Sequence, residues 1–250
     1  MHPVLFTIPW IDFPISTFGV MLAVGFLVGT WITGVRLGEE GYEPDATTLL
    51  IYVMVGGILG AKLYFAVDMH LRSGDPFASL LFARAGLTWY GGLLGGTLLG
   101  VIGCRIHGIP VRTFASCVAV ALPVGQALGR LGCFLVGDDY GVRTDLPWGV
   151  RFPEGSPPTD LPVHPTQLYE VAWLLPVAAL LWSRRRKSPF LFGEYLALNG
   201  VGRLVIETLR VNPRVAWGLT EPQIVGIALI VGGMTAWLYF WRREQRVAVA

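Results

Sequence analysis

The chain has 250 residues, of which 53% are hydrophobic and 14% charged, and 19 Lys and Arg against 17 Asp and Glu leave a formal net charge of +2. A soluble domain carries about 25% charged residues, so this chain has too few to clothe a water-facing surface, in keeping with a mean hydropathy of +0.57. The small net charge gives no electrostatic footprint for nucleic acid. The composition implies an all-α, polytopic membrane protein, read as a single integral-membrane domain over residues 1–250.

Apolar runs near the ~20 residues that a bilayer core requires recur at about 15–35, 47–67, 87–103, 113–136, 166–182, 194–210 and 221–241, which predicts about seven transmembrane helices. The opening Met1-His2-Pro3-Val4-Leu5 lacks a basic n-region, so the first run reads as a retained span and not as a cleaved signal. Polar punctuation follows at Glu39-Glu40-Gly41-Tyr42-Glu43-Pro44-Asp45, and a basic stretch, Arg184-Arg185-Arg186-Lys187, follows the fifth run. Small residues four apart (Gly25 and Gly29; Gly92, Gly96 and Gly100; Gly125 and Gly129) predict close backbone approach between helices.

Basic residues set the orientation. Ten fall on one side: Arg36, Arg105, Arg112, Arg184, Arg185, Arg186, Lys187, Arg242, Arg243 and Arg246. Six fall on the other: Arg72, Arg84, Arg143, Arg151, Arg210 and Arg214. The N-terminus is therefore expected outside and the C-terminus in the cytoplasm, with external segments at about 68–86 and 137–165. The three cysteines form no framework, since Cys117 and Cys133 lie roughly 24 Å apart along one predicted helix.

Lys62, Arg130, Arg203 and Glu207 fall inside runs, where a charge costs about 2.5–3.5 kcal/mol on insertion scales. Arg203, Glu207 and Arg210 share one helical face by their spacing, so that face is expected to line a polar interior. One carboxylate does not neutralise two or three guanidinium groups, and the arginine excess calls for an anion. In a bilayer the abundant one is a phospholipid phosphate, which the planar fork of arginine binds in pairs. Around and after Arg130, four glycines within Gly129–Gly141 and the acids Asp138 and Asp139 suggest a helix that ends with exposed backbone at a site.

At these residues the sequence resembles the prolipoprotein diacylglyceryl transferase family. The resemblance rests on Gly129-Arg130-Leu131-Gly132-Cys133-Phe134 with Gly141 downstream, on His164-Pro165-Thr166-Gln167-Leu168-Tyr169-Glu170, on Tyr90-Gly91-Gly92-Leu93-Leu94-Gly95, on Arg203-Leu204-Val205-Ile206-Glu207-Thr208-Leu209-Arg210 and, more loosely, on Gly60-Ala61-Lys62-Leu63-Tyr64. It implies a multi-pass enzyme of the bacterial inner membrane that works at the outer leaflet. Phosphatidylglycerol would donate its diacylglyceryl group to the lipobox cysteine in the signal peptide of a preprolipoprotein, and glycerol phosphate would leave.

The resemblance implies catalytic roles for Arg130, Arg203, Tyr90, Glu207 and Asp138, and phospholipid contacts for Arg130, Arg203, Arg210, Lys62, Gly141 and Gln167. Glu207 is expected to orient Arg203 or to take the thiol proton; His164 is expected to cap a helix, with Gln167 and Glu170 hydrogen-bonding inside the bundle. Tyr90 stands where many members have histidine, and Cys133 where many have asparagine. Tyrosine is a poor base near neutral pH and a good donor to phosphate. A changed acceptor with the same donor lipid, or a non-catalytic phospholipid-binding protein, are the alternatives. No cofactor motif is present, and the spacing of Cys133, Asp138, Asp139 and His164 announces no metal site.

Overall fold

In a computed structural model the described residues are 3–10, 12–42, 46–83 and 86–249. Glu43, Pro44 and Asp45 of the first polar loop, and Arg84 of the orientation count, lie outside them. The chain opens with a hairpin of β1 (Val4–Ile8) and β2 (Phe13–Ser16). It continues through α1 (Thr17–Glu39), α2 (Ala46–Ser73), the short α3 (Phe77–Leu81), α4 (Trp89–Ile106) and α5 (Val111–Val136). A second hairpin, β3 (Val150–Phe152) and β4 (Thr159–Val163), leads into α6 (Thr166–Arg184) and α7 (Leu191–Glu207). A third, β5 (Arg214–Ala216) and β6 (Leu219–Thr220), leads into α8 (Glu221–Val249).

Each of the seven predicted runs coincides with a long helix. Four of these, α1, α2 over Thr48–Ser73, α5, and α8 over Glu221–Arg246, are long and apolar enough to cross a membrane, and α4 is a shorter apolar helix over Tyr90–Ile106. The two that fall short, α6 and α7, carry Glu170, Glu194, Arg203 and Glu207. Their charges lower the hydropathy by which a span is recognised, and α7, at 17 residues, is also short.

The chain divides into two compact units. The first comprises residues 1–33 and 115–250. Its core gathers Ile32 from α1, Ala119, Val120 and Ala121 from α5, Val177 and Leu181 from α6, and Leu191 and Tyr195 from α7. α7 and α8 approach backbone to backbone. A Cβ on Gly200 would lie 2.5 Å from the Gly226 carbonyl oxygen, and one on Gly233 2.5 Å from that of Gly193. α1 meets α5 through Gly25, as expected, whereas a Cβ on Gly129 would meet nothing within 4 Å.

The second unit, residues 34–114, is dominated by α2 packed on α4. The expected ridge of Gly92, Gly96 and Gly100 is not where the helices come closest. Gly91 and Gly95 oppose Gly56 and Gly60, and a Cβ on Gly60 would lie 2.8 Å from the Gly95 Cα. Without a hydrophobic drive between lipid-embedded helices, this backbone approach is what holds the pair.

Candidate active site

α5 delivers Arg130 and then stops. Gly137, at φ +80°, takes the left-handed position of a helix C-terminus, and the amides of Gly137 and Asp138 return to the Cys133 carbonyl at 2.8 and 3.1 Å. The turn that follows holds Asp139 at φ +60°, a conformation that Asp tolerates better than most residues. Gln167 at the start of α6 is buried, and its amide donates to the Asp138 carbonyl; Thr166 Oγ1 donates to that of Asp139 at 2.8 Å. The turn is thus fixed from beneath by α6.

Onto this turn converge three guanidinium groups. Arg130 Nη1 lies 2.7 Å from Asp139 Oδ2, and its Nε lies 2.6 Å from Glu170 Oε2. Arg210 Nη2 lies 2.6 Å from Asp139 Oδ1, and its Nη1 lies 3.0 Å from Glu170 Oε1. Arg203 Nη1 reaches the same Glu170 oxygen at 3.3 Å. Glu207, fully buried, keeps Oε2 3.9 Å from both Arg203 Nη2 and Arg210 Nε, with no hydrogen bond to that oxygen among the described residues. Its Oε1 accepts from Asn212 Nδ2 at 2.6 Å and Thr220 Oγ1 at 3.0 Å.

The charge count therefore differs from the sequence argument. Three arginines face three carboxylates, Asp139, Glu170 and Glu207, so no net excess of positive charge remains. The place between Arg130 and Arg210 is already held by the Asp139 carboxylate. Asp139 is 47% exposed, on a glycine-flanked turn, whereas Glu170 and Glu207 are anchored in helices at 13% and 0%. Beside it opens a cavity of about 270 Å³ lined by Asp139, Arg203, Arg210, Asn212, Pro213, Val215, Glu221 and Pro222.

Arg210 also arrives differently from the helical-face argument. α7 ends at Glu207, and Arg210 is placed by backbone pairing with Gly141, whose neighbour Val142 donates to the Leu209 carbonyl at 2.8 Å. Gly141 has a steric reason to be glycine. A Cβ there would strike the Leu209 carbonyl oxygen and lie 2.7 Å from Thr166 Cγ2.

The two acids of the turn titrate in opposite directions. Burial pushes the Asp138 carboxyl above the usual carboxylate range, against a hydrogen bond with the Cys133 thiol. Burial acts on Asp139 in the same sense, but Arg210 and Arg130 outweigh it and hold that carboxyl below the range. The ligand atoms of Cys133, Asp138 and Asp139 lie within 4.8 Å of one another, a set that could hold a metal and that spacing alone did not announce. Arg130 Nη1, 4.0 Å from Cys133 Sγ and paired with Asp139, puts a cation of the protein's own at that place.

A profile of the prolipoprotein diacylglyceryl transferase family matches residues 3–239. The chain belongs to that family. It is 30% identical over 250 residues to the phosphatidylglycerol–prolipoprotein diacylglyceryl transferase of Clostridioides difficile, covering 98% of each chain. The proteins of the same name from Azotobacter vinelandii and Geobacter sulfurreducens are 35% and 32% identical, covering 92% of both chains for the first and 98% and 97% for the second.

Of the site residues expected from the sequence, the arginine cluster unites Arg130, Arg203, Arg210 and Glu207, with Gly141 and Gln167 as its supports and Asp138 on the adjoining turn. Tyr90 and Lys62 belong to the second unit. There the Tyr90 ring packs 6.5 Å from that of Tyr64, and Lys62 Nζ donates to the Ala83 carbonyl at 2.6 Å and stands over the Phe65 ring. His164 shares the Tyr169 hydroxyl, at 3.0 Å, with Trp148 Nε1 at 2.8 Å. Two members of the cluster were named in the sequence without a role in the arginine site: Glu170 as a hydrogen-bonding partner inside the bundle and Asp139 as one of two acids after α5. Glu170 carries the same insertion cost that singled out the arginines, and that signal could have found it. For Asp139 nothing in the sequence separated it from Asp138.

Proposed function

We propose that this chain transfers the diacylglyceryl group of phosphatidylglycerol to the lipobox cysteine thiol of a preprolipoprotein, at the outer leaflet of a bacterial inner membrane. The protein would span that membrane about seven times, with its N-terminus outside and its C-terminus in the cytoplasm. Family membership supports the transferase reading, and the names of the relatives supply donor and acceptor. The observation that carries it is the convergence of Arg130, Arg203 and Arg210 on Glu170 beside a cavity that Arg203, Arg210 and Asp139 line, with the half-exposed Asp139 carboxylate between Arg130 and Arg210.

In this reading the donor phosphate takes the place of the Asp139 carboxylate and lies on the forks of Arg130 and Arg210, with Arg203 facing the cavity beside it. Thiolate sulfur attacks the terminal glycerol carbon of the diacylglyceryl group, a C–S bond forms, and the C–O bond to phosphate breaks. The phosphodiester monoanion leaves as glycerol phosphate with a second negative charge. Fixed guanidinium groups stabilise that developing charge without reorganising at the moment of reaction. The thiol proton must go to a base. Asp138 is made more basic by burial, and its Oδ1 is buried without a hydrogen-bond partner among the described residues.

The test combines purified protein, phosphatidylglycerol and a lipobox peptide, following peptide mass and glycerol phosphate release. A diacylglyceryl mass gain that disappears with Arg130→Ala, and with serine in place of the peptide cysteine, is the expected result. Glycerol phosphate release with unmodified peptide would point to another acceptor. Lipid binding with neither product would leave a binding protein and overturn the enzyme.

A further inference from the structure

Arg130 and Arg203 each stand near the C-terminal end of their helix, and both pair with Glu170, so α5 and α7 run toward the same end of the bundle. Stepping back four residues on each helix descends roughly 6 Å along the same face, at ~1.5 Å per residue. The residues met there are Gln126 and Asn199, and they touch. Asn199 Nδ2 donates to Gln126 Oε1 at 2.7 Å and to the Tyr195 hydroxyl at 3.1 Å.

The pair is not sealed. Gln126 is exposed, although it lies within one of the helices long and apolar enough to cross a membrane. Its amide nitrogen brings two N–H donors. The Tyr195 hydroxyl, which already accepts from Asn199, takes at most one. An amide N–H facing hydrocarbon finds no water to satisfy it. At that depth a phospholipid supplies one kind of acceptor, the ester carbonyls of its acyl chains. A lipid whose phosphate rests on Arg130 and Arg210, beside Arg203, carries those carbonyls one glycerol unit deeper, on the scale of the single helical turn that separates Gln126 from Arg130 and Asn199 from Arg203.

We infer that Gln126, held by Asn199, binds an ester carbonyl of the phospholipid donor, a second contact point that orients the glycerol carbon to be attacked. This rests on the phosphatidylglycerol reading of the arginine site. A purely interhelical hydrogen bond would instead be indifferent to how the acyl chains are attached.

Equilibrium binding of diester phosphatidylglycerol and of its diether analogue, which keeps the phosphate and chains but lacks both carbonyls, separates the two. The full-length protein in detergent micelles is expected to bind the diester about fivefold to tenfold more tightly, the effect of one hydrogen bond made without competing water. Gln126→Met, close in volume, is expected to bind both lipids equally, at the diether affinity; Gln126→Ala serves if the methionine variant does not fold. No ester preference in the wild type, or a preference that survives in the variants, overturns the inference. Glycerol phosphate release is read in the same samples. An ester preference that the variants lose, with no release, keeps the carbonyl contact and overturns the transfer reading. Release without an ester preference does the reverse.

Discussion

Asp139 Oδ2 lies 2.7 Å from Nη1 of Arg130, where a phosphate oxygen would sit on a guanidinium. Its second oxygen holds Arg210 in the same way. Asp139→Asn removes the competing charge and keeps a residue that tolerates the left-handed backbone. The KM for phosphatidylglycerol is expected to fall about fivefold, and glycerol phosphate should become a stronger inhibitor, both measurable by steady-state kinetics. A rise in KM would mean that Asp139 anchors the substrate, and the displacement argument would be lost.

The neighbouring acids give this turn a pH signature. The depressed carboxyl of Asp139 stabilises the fold fully above the unfolded carboxylate value of ~3.9, and that contribution disappears as pH falls through the folded value. Asp138, raised by burial, behaves in the opposite sense. Its contribution is present below ~3.9 and is lost as pH rises through its folded value. Thermal unfolding midpoints in detergent between pH 3 and 7 are therefore expected to diverge. The advantage of wild type over Asp139→Asn grows with pH, while that over Asp138→Asn shrinks. Parallel curves for the two variants would remove the assignment.

Glu170 accepts from all three arginines, at 2.6, 3.3 and 3.0 Å. Removing it leaves like charges crowded in a largely buried place, a loss of about 3 kcal/mol when one partner of a buried pair is deleted. Glu170→Ala is expected to lower the unfolding midpoint and abolish transfer, and Glu170→Gln to do less of the first and most of the second. An Ala variant as stable as wild type would show that the arginines do not depend on this carboxylate.

The arginines were legible because charge inside an apolar run is costly wherever the helix points, and the run lengths gave the seven long helices. Other features depend on tertiary geometry that no local pattern carries. Arg210 reads as the next turn of α7, yet the helix has already ended and a backbone pairing with Gly141 carries the side chain in. The glycines that matter most between α2 and α4 are offset by one from the ridge that spacing suggested, because helix rotation, not period, decides which stripe faces inward. Asp139 became distinct from Asp138 only through its backbone, at φ +60°.

Glu207 invites assignment as the base, and its surroundings argue for positioning. Its side chain is fully buried, and Oε1 is occupied by Asn212 and Thr220. It thereby ties the segment after α7, and the start of α8 beyond β6, to the cavity that Asn212, Pro213 and Glu221 line. Glu207→Gln retains an oxygen for Asn212 and loses the charge that faces Arg203 and Arg210, so kcat is expected to fall about tenfold while the acid limb of the pH–rate profile stays in place. Thr220→Val is expected to lose activity through the same oxygen, and the double variant should be clearly less impaired than the product of the two singles. Disappearance of the acid limb in Glu207→Gln would instead identify Glu207 as the group that takes the thiol proton, and would relieve Asp138 of that role.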